Sequence, residues 1–112
     1  MGIPYDKKKY LGSVLKAQRK KDNKSLRCLA ALCEMSYATL NDIENGNGFP
    51  TEKTILRIVK NLNFDDTAKI YDIYATVKGT APPDVIEYLC ENKAVVDEIR
   101  QRMKKDKGEI KS

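Results

Sequence analysis

With 112 residues, 41% of them hydrophobic and 33% charged, the chain has room for one small domain, since a domain typically takes roughly 100 to 150 residues, and a second, catalytic domain is excluded by length. No apolar run approaches the roughly 18 residues of a membrane span, and the lysine-rich stretch Met1 to Tyr10 is followed by no apolar segment of the kind a signal peptidase recognises, so the expectation is a cytoplasmic protein without membrane contact. Net charge is only +5, but residues 1 to 27 hold nine Lys or Arg against two Asp, while residues 28 to 50 hold none against Glu34, Asp42 and Glu44. Such a basic first quarter suggests a polyanion as partner.

The three cysteines, Cys28, Cys33 and Cys90, show no C-x-x-C spacing, and the chain has no histidine, which argues against a disulfide framework and against a zinc site. Cys33 and Cys90 fall on apolar helical stripes and Cys28 at the edge of one, so all three read as small buried hydrophobes. No nucleophile stands beside a base, and the commonest general base is missing. Gly46 to Gly48 is too short for a phosphate-cradling loop. The expectation is a protein that is not an enzyme and needs no metal or cofactor.

Almost every window reads as helix, and strand signals are missing. A first helix over 6–21 sets Leu11, Val14, Leu15 and Gln18 on one face and ends in Asp22, Asn23 and Lys24. Ser25 is placed as an N-cap of a second helix that carries Leu26, Leu29, Ala30 and Cys33 at i, i+3, i+4 and i+7 and stops after two turns at Glu34 and Met35. Ser36 caps a third, with Leu40 and Ile43 inward, Tyr37, Ala38, Asn41, Asp42 and Asn45 outward, and an end at Gly46, Asn47, Gly48. After Phe49 and Pro50, Thr51 caps a fourth helix with the cleanest apolar stripe in the chain, Ile55, Ile58, Val59 and Leu62. A fifth is expected over 65–78. The break Gly79 to Pro83 precedes a helix over 84–90 and another over 93–105, and Asp106 to Ser112 is expected to fray.

Two short helices joined by a tight turn, the second capped by Ser and exposing small polar residues, are the geometry that lays a helix in the DNA major groove. Across 10–62, the order LGSVLKAQRK, SLRCLAALCEMSYATLNDIENG, FPTEKTILRIVKNL resembles the phage-repressor-like (Cro/Xre-type) helix-turn-helix regulators. The resemblance implies an all-α, lambda-repressor-like five-helix DNA-binding bundle over 1–79, with two additional helices over 80–112. It also implies that Ala30 sits where the two motif helices cross, and that Arg19 and Glu44 form a structural ion pair. By the same analogy Tyr37, Ala38 and Asn41 face base edges, with Thr39 offering a methyl group, while Ser36 and Asn45 lie near phosphates. The third helix has no Lys or Arg. Phosphate contacts are therefore expected from Lys24, Ser25 and Arg27 at the start of the second helix, from Lys53 at the start of the fourth and from the N-terminal lysines. Two positions depart from the family pattern. Leu26 replaces a glutamine able to bond phosphate and base, and Glu34 replaces the turn glycine.

The function expected from these residues is sequence-specific binding of double-stranded DNA as a regulator, a repressor acting as a homodimer on a two-fold symmetric operator. The alternative is a helical protein-interaction module, antitoxin-like or an adaptor, in which DNA binding is weak or lost. Val85, Ile86 and Leu89, then Val95, Val96, Ile99 and Met103, form an apolar stripe that must be covered. It covers either its own bundle, through Ile70, Tyr71 and Tyr74, or the same stripe of a second subunit. The second subunit is the favoured reading, because a dimer presents two recognition helices about one DNA turn apart.

Overall fold

The computed structural model describes residues 5–111, with side chains over 6–107. The described residues form seven helices and no strand: α1 (Tyr5–Lys21), α2 (Leu26–Leu32), α3 (Tyr37–Asn45), α4 (Glu52–Lys60), α5 (Thr67–Lys78), α6 (Pro83–Glu91) and α7 (Lys93–Lys111). Four of them start on a side-chain cap. Ser25, Ser36, Thr51 and Asp66 hold extended backbone and accept the amide hydrogens of Cys28, Thr39, Thr54 and Lys69, at 3.0 to 3.2 Å. Each cap stabilises its helix by about 1 kcal/mol. Gly46 and Gly79, both with φ near +80°, end α3 and α5 in the left-handed conformation that glycine adopts without penalty.

One core runs through the first five helices: Leu11 and Leu15 of α1, Leu29 and Ala30 of α2, Leu40 and Ile43 of α3, Ile55, Ile58 and Val59 of α4, and Ile70, Tyr71 and Tyr74 of α5. Cys33 and Leu62 join it from just beyond α2 and α4. Helices α1 and α3 cross closely. A Cβ on Gly12 would lie 2.3 Å from the carbonyl oxygen of Ile43 and 2.6 Å from that of Glu44, so only glycine lets these two backbones touch. Tyr74, fully buried, stacks on Phe49 with ring centroids 5.0 Å apart and donates its hydroxyl hydrogen to the Pro50 carbonyl at 3.0 Å. In this way α5 pins the loop that leaves α3.

Helix α6 begins with the buried Pro83 at its first turn and packs on α4 and α5. Burial, with the carboxylates of Asp84 and Glu87 nearby, holds the Tyr71 phenol above its ordinary pKa. Glu87 also reaches Lys60 of α4 at 3.2 Å, an exposed pair worth little by itself. Along the apolar stripe, Ile86, Leu89, Val95 and Val96 are half-buried, whereas Val85, Tyr88, Ile99 and Met103 are exposed. Beyond α6, α7 extends the molecule to 57 Å along its long axis.

One expectation fails. Cys33 is buried, and burial pushes its thiol pKa up, but Cys28 and Cys90 are exposed, since each lies off the buried side of its short helix. Helix α7 is described to Lys111, beyond the Asp106 at which fraying is expected; Ser112 lies outside the described residues. The fifth and sixth helices are displaced by one or two residues from the expected starts, because Asp66 takes the cap and Pro83 the first helical position.

Candidate nucleic-acid interface

The turn between α2 and α3 is built on Glu34. Its φ of 55° is left-handed, and the amides of Glu34 and Met35 close onto the carbonyls of Ala31 and Ala30 at 3.1 and 3.0 Å, which satisfies the free end of α2. A side chain in this conformation costs about 1 to 2 kcal/mol relative to glycine. The chain bears that cost with the usual turn conformation rather than building the turn differently. Ala30, 3% exposed, lies in the core beneath the turn.

Helix α3 is fastened from behind. Leu40 and Ile43 insert into the core, and Glu44 lies beside them at 4% exposure. Arg19 of α1, 9% exposed, forks onto that carboxylate, Nε to Oε2 at 2.8 Å and Nη2 to Oε1 at 2.9 Å, and spends Nη1 on the Lys24 carbonyl at 2.9 Å. The hydrogen bonds to Glu44 outweigh the cost of burial and raise the Arg19 pKa above its already high ordinary value, so the guanidinium stays charged. One residue thus ties α1, the α1–α2 loop and α3 together.

The opposite face of α3 is open. Tyr37, Ala38, Thr39, Asp42 and Asn45 are exposed and Asn41 is half-buried. Asn45 donates from Nδ2 to Asn41 Oδ1 at 3.2 Å, which leaves the Asn41 amide hydrogens and one oxygen lone pair available. Ser36 caps α3 and gives its hydroxyl hydrogen to Thr39 Oγ1 at 2.7 Å, so toward an external group it acts as an acceptor. Ser25 spends its oxygen on the Cys28 amide and keeps its hydrogen to donate. Arg27 lies over the Tyr37 ring at 5.1 Å from its centroid. Lys53, exposed, stands in the first turn of α4, and Glu34 and Asp42 are exposed acids on the same motif.

Lys24 is placed differently from a freely projecting phosphate ligand. Its ammonium donates to the Asn61 carbonyl at 2.6 Å, at the end of α4, where the helix dipole favours a cation. A second link nearby was hidden in the sequence. Asp22 accepts from the Asn63 amide at 2.8 Å and from Gln18 Nε2 at 2.9 Å, and Gln18 also donates to the Asn63 carbonyl at 3.1 Å. The Asn63 amide, foremost, holds the Asp22 carboxyl below its ordinary pKa. Together these bonds seat the end of α1 against the α4–α5 loop. Among the described residues no group of three His, Cys, Asp or Glu could hold a metal ion, and no helix is long and apolar enough to cross a membrane.

A capped helix held from behind by a buried ion pair, preceded by a short helix and a left-handed turn, defines the helix-turn-helix class of DNA-binding proteins. The helix-turn-helix domain family matches residues 10–69, and the chain belongs to it, as a DNA-binding regulator of the phage-repressor-like kind. It is similar to the ImmF control region 10 kDa protein of Bacillus phage phi105, with 35% identity over 72 residues that span 63% of this chain and 80% of that protein. No solved structure matches it.

Proposed function

We propose that the protein is a sequence-specific repressor that binds double-stranded DNA as a homodimer on a two-fold symmetric operator. The observation that carries this reading is the division of α3 into a buried face of Leu40, Ile43 and Glu44 and an open face that starts with Tyr37, Ala38 and Thr39. With α3 in the major groove, Tyr37, Ala38, Thr39 and Asn41 meet base edges, Asn41 through the paired donor and acceptor that suit adenine. Ser25, Asn45 and Lys53 flank the groove on the phosphate side, and Lys24 adds charge from its place at the end of α4. The control-region relative supports a regulatory role of this type.

The dimer contact proposed is the α6–α7 stripe. Ile86, Leu89 and Val96 are half-buried while Val85, Ile99 and Met103 remain exposed, so the side turned away from the bundle is the side a second copy covers. Selection of bound sequences from random duplex DNA tests the reading: an enriched motif with two-fold symmetry is expected, and a pool without enrichment refutes it. Sedimentation of the full chain and of Ile99→Asp and Met103→Asp tests the contact. Both sites are exposed, so the variants fold, and a dimer that dissociates on substitution is the expected result. A monomer at high concentration, or a dimer that survives both changes, refutes it.

A further inference from the structure

We infer that Arg27 is a specificity-determining residue: lying over the Tyr37 ring, it is the cation through which the helix-turn-helix motif reads a guanine, rather than a phosphate contact. The inference rests on the DNA-binding reading above. Helix α3 contains no Lys or Arg, and the first position of α2, Leu26, offers no hydrogen bond to a base. Arg27 comes from the second position of α2 and lies at 5.1 Å over the ring of Tyr37, the first residue of α3. Both residues are exposed, and among the described residues neither polar end has a hydrogen-bond or ion-pair partner.

The contact has a geometric consequence. A guanidinium held over a ring by its charge spends no N–H donor on an oxygen acceptor, so its donors remain available. Those donors are the fork that matches O6 and N7 of guanine. A free arginine side chain loses considerable rotamer freedom when it docks on a base. Here the ring holds the guanidinium beforehand, at the end of α3 whose residues enter the groove first. Tyr37 then acts as a platform as well as a contact. The two residues form one reading unit, and the base position they recognise is shared.

The test uses the full chain and five proteins: wild type, Arg27→Lys, Arg27→Ala, Tyr37→Phe and Tyr37→Leu, each checked for an unchanged melting transition. Sequence selection from random duplexes is followed by affinity measurements on the selected site and on single-base variants. Arg27→Lys keeps the charge but loses the fork, so it is expected to lose roughly 5- to 150-fold of discrimination at one base position while the salt dependence stays the same. Tyr37→Phe keeps the ring and is expected to retain that preference, whereas Tyr37→Leu weakens it at the same position. A wild-type protein with a defined site whose preference survives Arg27→Lys overturns the inference and leaves the DNA-binding reading standing. A loss at different base positions for Arg27 and Tyr37 variants overturns the shared unit. Wild-type protein that selects no site overturns both.

Discussion

Replacing Arg19 with alanine should destabilise the whole fold, and the size of the effect follows from what its guanidinium holds. Three charge-assisted hydrogen bonds disappear, two to Glu44 and one to the Lys24 carbonyl. Their loss alone need not be large, since water competes for such groups in the unfolded chain. The larger cost is Glu44, whose side chain is 2% exposed and which is left in the interior without a counter-charge. Breaking a buried pair in this way typically costs about 3 to 5 kcal/mol. The lower end applies here, because Arg19 itself reaches the surface and its removal admits water to the carboxylate. About 3 kcal/mol is a large share of the roughly 5 to 15 kcal/mol that hold a small domain together, and it lowers the melting temperature by on the order of 10 to 20 °C. Urea and thermal denaturation of Arg19→Ala, Glu44→Gln and the double variant measure it. The double variant should recover at least about 1 kcal/mol relative to the sum of the single changes, and the deficit should persist in high salt, where exposed pairs are screened. Additivity within about 0.5 kcal/mol would refute the reasoning.

Three other outcomes follow from the same geometry. Gly12→Ala should destabilise by about 1 to 3 kcal/mol, although alanine is the better helix former, because the carbonyls of Ile43 and Glu44 cannot move away without separating α3 from α1; a more stable variant in thermal denaturation would contradict the close crossing. The Asp22 carboxyl is held below its ordinary pKa, so its contribution to stability is present above about pH 4 and is lost as the pH falls through the lowered folded value. The stability gap between wild type and Asp22→Asn should therefore close on acidification, and a gap constant from pH 7 to pH 2 would contradict it. Asn41→Ala should flatten preference at one base position at a cost of about 1 to 3 kcal/mol for the selected site, with little change in melting temperature; an unaltered selected site would place Asn41 outside the reading face.

The boundaries of this fold were legible because they are written locally. Ser25, Ser36 and Thr51 bond amides three residues on, so a window of four residues contains the whole argument. The stripe Ile55, Ile58, Val59, Leu62 likewise carries its own period. What stayed hidden depends on partners far along the chain. Gly12 looks like a weak spot in α1 until the α3 carbonyls approach it. Asp22 and Lys24 look like loop polarity until Asn63 and Asn61 arrive from the end of α4. The pairing of Arg19 with Glu44 came from likeness to a family and not from spacing, since 25 residues separate them. Cys28 and Cys90 were misjudged for a related reason: a short amphipathic helix has flanks, and periodicity alone does not say which flank the neighbouring helices reach.

The way α3 is mounted separates two kinds of evolutionary freedom. Its anchoring side is over-determined: a glycine that admits no Cβ, an arginine committed to three acceptors and a carboxylate with nowhere else to turn. The outward side chains of Ala38 and Thr39 have no part in the core, and substitutions at such surface positions usually change stability by less than about 0.5 kcal/mol. On the reading proposed for α3, a lineage carrying this scaffold can exchange one operator for another by drift on a surface that the fold does not police. Regulators that must diverge quickly, each recognising its own control sites and ignoring those of its rivals, are well served by a frame that tolerates new readings without first having to be made more stable.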